Sequence, residues 1–120
     1  MEIIITNYFS KILEKECKNT KVSEIIKKIN INSRNFISLK IPFYKIKLKI
    51  GNKTYRLLIF SNEKFIKIVF MNIFDKKDKK FGENINWKLS KNEILKFYEK
   101  NLEDIENGDF DKYDEYGNLI

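Results

Sequence analysis

At 120 residues the chain has the length of one domain, enough for a modest core. Hydrophobic residues make up 42% and aromatics 14%, which excludes a disordered polymer. The net charge of +7 comes with no histidine and one cysteine, Cys17. An internal disulfide is therefore excluded, and no apolar run reaches the ~20 residues of a membrane helix. Met1 to Thr6 is apolar but has no basic leader, so the expected setting is the reducing cytosol. The charge is also segregated. Residues 1–80 hold 19 of the 24 Lys and Arg but 7 of the 17 acids. A basic body with an acidic tail suggests a polyanionic partner; an AT-rich codon bias toward Lys, Asn and Ile is the bland alternative.

In chain order, Glu2 to Ile5 reads as a first strand, and Thr6 or Asn7 can cap a helix. Tyr8, Phe9, Ile12 and Leu13 recur at helical spacing, as do Val22, Ile25, Ile26 and Ile29. The spacing predicts a helical hairpin over about 7–30, turning at Lys18-Asn19-Thr20. Asn30 to Asn35 is a polar loop, and Phe36 to Leu39 allows an extended segment. From Phe43 to Ile50 the alternation is strict: Tyr44, Ile46, Leu48 and Ile50 against Lys45, Lys47 and Lys49. Tyr55 to Phe60 and Phe65 to Phe74 are apolar on both faces, as central strands are when helices cover them. Gly51-Asn52-Lys53 and Ser61-Asn62-Glu63 are the expected turns. After a Lys-rich loop from Lys76 to Asn86, Ser90-Lys91-Asn92-Glu93 has the form of a capping box. It opens a helix expected over 90–107 and ended by Asn107-Gly108. Residues 1–107 then form one domain, and 108–120 an acidic tail that is either disordered or docked on the body.

The stretch YKIKLKIGNKTYRLLIF, Tyr44 to Phe60, resembles the RelE/HigB family of toxins from toxin–antitoxin systems, which show Y-K-I-K-L-K, a short turn and Y-R-L. The opening T-x-x-F-x-K-x-L (Thr6, Phe9, Lys11, Leu13) and the basic pair Lys76-Lys77 after a strand are similar as well. The resemblance covers about residues 2–105. It implies an α+β fold of order β-α-α-β-β-β-α, with a twisted antiparallel sheet and helices mainly on one face. It also implies metal-independent endoribonuclease activity on mRNA, the ribosome as the place of action, a cognate antitoxin as partner, and no cofactor or small-molecule substrate. Lys45, Lys47, Arg56 and Lys77 fall on family functional positions. Where several members carry a Tyr about six residues after the basic residue, this chain has Glu83.

The chemistry of RNA cleavage suits such a set. The 2′-hydroxyl must lose a proton, the phosphoryl oxygens gain charge, and the 5′-oxygen must leave. Without histidine, Lys, Arg and Tyr remain. A lysine among cations loses its proton more readily, so Lys47 between Lys45 and Lys49, or Lys45 beside Arg56, is a candidate base. Arg56 suits a phosphoryl clamp, and Lys76 or Lys77 a proton donor. Lys49, Lys76, Tyr44 and Phe81 are candidate RNA contacts. Three alternatives stay open: a solvated sheet face with a structural Arg56, a ParE-like gyrase inhibitor, and a nucleic-acid-binding module without catalysis.

Overall fold

The computed structural model describes residues 1–31, 36–61, 65–78, 81 and 85–120, and the side chains of all of these except 30 and 31. The elements are β1 (Glu2–Thr6), α1 (Asn7–Glu16), α2 (Val22–Ile31), β2 (Ile37–Lys40), β3 (Phe43–Ile50), β4 (Lys53–Ser61), β5 (Lys67–Asp75), α3 (Trp87–Glu106) and β6 (Phe110–Asp114). The class is α+β. Among the described residues one open sheet runs β2-β3-β4-β5-β1-β6. The expected antiparallel run β3-β4-β5 is present. The sheet as a whole is mixed, however, because β1 inserts parallel to β5, with Ile4 opposite Val69.

Period-two alternation divides the side chains of the strands between two cores. Ile46 and Leu48 of β3, Leu57 and Ile59 of β4 and Phe70 of β5 meet Phe9, Leu13, Ile25 and Ile26 of α1 and α2. Burying a side chain such as Phe9 contributes roughly 1.5–3 kcal/mol. The opposite face carries Phe43, Leu58, Met71 and Phe74, which pack with Ile85 and with Ile94 of α3. The expectation of helices mainly on one face is therefore corrected: α3 covers part of the other face. Two apolar faces on β4 and β5 require cover on both sides, and α3 supplies the second.

Local signals explain most boundaries. Thr6 caps α1, its hydroxyl accepting from Phe9 N at 3.1 Å. Gly51, at φ 60°, takes the left-handed position of the β3–β4 turn. The expected turn at Ser61-Asn62-Glu63 lies partly outside the described residues. The helix expected to start at Ser90 instead starts at Trp87, with Asn86 as cap accepting from Leu89 N at 2.9 Å. Residues 110–114 of the acidic tail form β6, antiparallel to β1. The segment after it folds back, Ile120 N donating to Lys112 O at 2.9 Å. Of the two readings of the tail, docking on the body is the one observed. Among the described residues no helix is long and apolar enough to cross a membrane.

Candidate nucleic-acid interface

Strand β3 sends Tyr44, Ile46 and Leu48 into the first core, so Lys45, Lys47 and Lys49 emerge on the face that α3 shares. The β3–β4 register puts Lys47 opposite Arg56 and Lys49 opposite Thr54. Directly opposed side chains on one face have Cβ atoms about 4.5–5.5 Å apart, and like charges so placed are destabilising. Arg56 in turn lies opposite Phe74 of β5. The ladder continues past β5, with Lys76 N donating to Thr54 O at 2.9 Å. Lys76 thus continues the β4–β5 register opposite Thr54, and its side chain meets that of Lys47.

Two lysines on this face lose their protons more readily than a free lysine. The amine of Lys47, exposed on the sheet, is lowered first by Lys76, which hydrogen-bonds it and repels its charged form, and last by Arg56. Burial lowers Lys45 first, and the Arg56 charge adds to it. The charges acting on both are cations. Lys45 differs from Lys47 in one further respect: its ammonium donates to Ile85 O at 2.8 Å, just ahead of α3. A lysine so tied positions the face, while the amine of Lys47 is exposed and touches Lys76, the lysine that lowers it.

The candidates do not all assemble. Lys45, Lys47, Lys49, Arg56 and Lys76 share one face. Lys77 is exposed at the rim of an adjoining hollow of ≈ 290 Å³, lined also by Asn52, Thr54 and Asp75. There Asp75 Oδ1 accepts from Lys77 N at 2.9 Å and shapes the turn. Tyr44 is on the opposite face, 7% exposed, with its ring 5.0 Å from that of Phe65. The parity of β3 sends it inward, so it is corrected from an RNA contact to a core residue. The ring of Phe81 packs on Phe74 at 5.0 Å and Phe97 at 5.7 Å, which makes it half-buried support beneath the face. Glu83 lies outside the described residues.

Sequence reasoning missed the Ile85 carbonyl and the part played by Trp87. The ring of Trp87 stacks on Phe43 at 5.6 Å and 17°. A tryptophan in a polar stretch just ahead of a helix was the signal available. Among the described residues no group of three His, Cys, Asp or Glu side chains could hold a metal ion. Chemically, the face offers two amines with lowered pKa, a guanidinium opposite one of them and a further ammonium, an arrangement suited to a phosphodiester. In comparisons with protein-family models and with curated proteins, the chain matches none.

Proposed function

We propose that this chain is an RNA-cleaving toxin of the RelE/HigB kind, a metal-independent endoribonuclease that cuts mRNA on the ribosome and is held in check by an antitoxin. The observation that carries the reading is the Lys47–Arg56–Lys76 cluster. Two cations face each other across β3 and β4, a third follows the end of β5, and the amine of Lys47 is biased toward its neutral form by Lys76 and Arg56. The Tyr44–Phe60 hairpin and the succession of β1, two helices, the antiparallel run β3-β4-β5 and α3 also support it, with β2 and β6 as additions to the expected order.

In this reading neutral Lys47 accepts the 2′-hydroxyl proton, and the 2′-oxygen attacks the adjacent phosphorus. Arg56 holds the phosphoryl oxygens as charge builds on them. Lys76 gives a proton to the departing 5′-oxygen. The products are a 2′,3′-cyclic phosphate and a 5′-hydroxyl end, and the proton gained by Lys47 returns through water to Lys76. The ribosome would supply the alignment that a small open face lacks. An acidic antitoxin segment would neutralise the same cations.

The test is expression of the chain alone, followed by primer extension on translated mRNA. Growth arrest with new 5′ ends inside reading frames is expected. Intact mRNA at arrest would remove the nuclease reading and leave a gyrase-directed or purely binding role.

A further inference from the structure

The same face of the sheet carries a second feature, at the other end of β3. Trp87 is half-buried, with Phe43 stacked against it. Two ammonium groups stand over its ring: Lys40 Nζ at 5.4 Å and Lys91 Nζ at 5.9 Å from the centroid. They come from separate elements, β2 and α3. Lys40 lies opposite Phe43 in the β2–β3 register, so it emerges on the face of Lys45 and Lys47. Two cations held over one indole share a single quadrupole. Either ammonium could pair with a phosphate, and a base against the ring would replace their contacts with it.

The distance to the cluster is set by the strand. Phe43 and Lys47 are four residues apart on β3, about 13 Å at the rise of an extended chain. A di- or trinucleotide spans such a length, and Lys45 sits between the two ends. We propose that Trp87, with Lys40 and Lys91, forms a stacking subsite for an unpaired base of single-stranded RNA, one or two nucleotides away from the phosphate held at Lys47 and Arg56. This rests on the RNA reading above and adds to it a place for the flanking strand. Stacking on an aromatic ring takes any base, so the subsite supplies affinity and direction rather than sequence preference.

Trp87 is the chain's one tryptophan, so its fluorescence reports on this subsite alone. The full-length chain is titrated with a short 2′-O-methyl RNA, which cannot be cut. Intrinsic fluorescence is followed together with the anisotropy of a dye on the oligonucleotide. The expected result is quenching that saturates with the anisotropy, and a loss of affinity of roughly 5- to 150-fold in Trp87→Leu. Trp87→Phe should recover part of that loss. Since Trp87 supports Phe43, the surface double variant Lys40→Ala/Lys91→Ala serves as the second probe and should weaken binding with an unchanged melting temperature. Binding without quenching, or a double variant that binds like wild type, overturns the subsite and leaves the RNA reading standing. Equal quenching by a fully paired duplex overturns it also, because paired bases cannot stack on the ring. No binding by either signal overturns both the subsite and the reading beneath it.

Discussion

The hydroxyl of Thr6 donates to Asn101 Oδ1 at 2.6 Å, a buried bond between residues 95 apart in the chain. The same hydroxyl accepts from Phe9 N, so it caps α1 while it holds α3. Asn101 spends its amide on Met71 O at 3.2 Å and Phe97 O at 2.7 Å. One side chain thus ties α3 to β1 and β5 at once. A second tie lies close by, Tyr8 N donating to Asp104 Oδ2 at 2.7 Å. These ties fix the C-terminal part of α3, while the Ile85 carbonyl that receives Lys45 lies ahead of its other end.

Asn101→Ala should leave the Thr6 hydroxyl without its acceptor and Met71 O without the amide. A buried polar group left unsatisfied costs about 1–3 kcal/mol. The expected outcome is a fall of that size in unfolding free energy, read from the urea midpoint. Thr6→Ser keeps both bonds and should lose much less. An Asn101→Ala midpoint equal to that of wild type would show that the network contributes nothing.

Where one periodicity decided the outcome, the sequence was sufficient. The parity of β3 alone separates Lys45, Lys47 and Lys49 from Tyr44, Ile46 and Leu48, and Tyr44 follows its parity into the core. Packing decided the rest. The box at Ser90–Glu93 is a sound local signal, yet Trp87 gains an aromatic stack on Phe43 by joining the helix, and Asn86 supplies an equivalent cap. Ser90 is left buried inside the first turn. The strand at 110–114 was hidden by its acidic composition. It forms because β1 has an open edge there and Tyr113 packs against the core. The Lys47–Lys76 contact was equally illegible, since it depends on how β5 ends beside Thr54.

The two cations at the centre of the proposed site should separate by their effects on rate. Lys47→Ala removes the proton acceptor and should lower cleavage about 10²- to 10⁴-fold. Arg56→Ala removes a preorganised charge donor and should cost about 10²- to 10³-fold. Arg56 is half-buried opposite Phe74, so Arg56→Met, which keeps the stem packed, is the control for folding. Rates come from single-turnover cleavage, with a thermal melt for each variant. Folded variants that cut at the wild-type rate would remove these residues from the mechanism.

Affinity for RNA should fall with salt in proportion to the phosphates neutralised. For single strands each contact contributes about 0.7 to the slope of log K against log salt, so the shared face of Lys45, Lys47, Lys49, Arg56 and Lys76 gives a slope of about −3.5. Lys49 is exposed and lies opposite Thr54, and no step of the proposed proton transfers uses it. Lys49→Ala should flatten the slope by about 0.7 and leave the single-turnover rate of bound RNA unchanged. A flat titration with the wild type would mean that the face does not grip phosphates.

The pH profile tests the pairing of Lys47 with Lys76. A base must be neutral to accept a proton, so cleavage should rise with pH as Lys47 deprotonates. In the folded chain Lys76 and Arg56 disfavour the charged form of Lys47, which places its pKa below that of an ordinary lysine. The rising limb should therefore lie at lower pH than a free lysine would give. Lys76→Ala removes the largest contribution to that lowering. The pKa of Lys47 should then climb, the limb should move to higher pH, and the rate near neutrality should fall. Lys76→Arg keeps the repelling charge, so its limb should stay closer to that of wild type. Loss of a proton donor alone predicts something different: a lower plateau with the rising limb unmoved. The measurement is single-turnover cleavage between about pH 6 and pH 10 for the wild type and both variants. A limb that does not shift in Lys76→Ala would show that Lys76 does not tune Lys47, and the assignment of Lys47 as the base would lose its support.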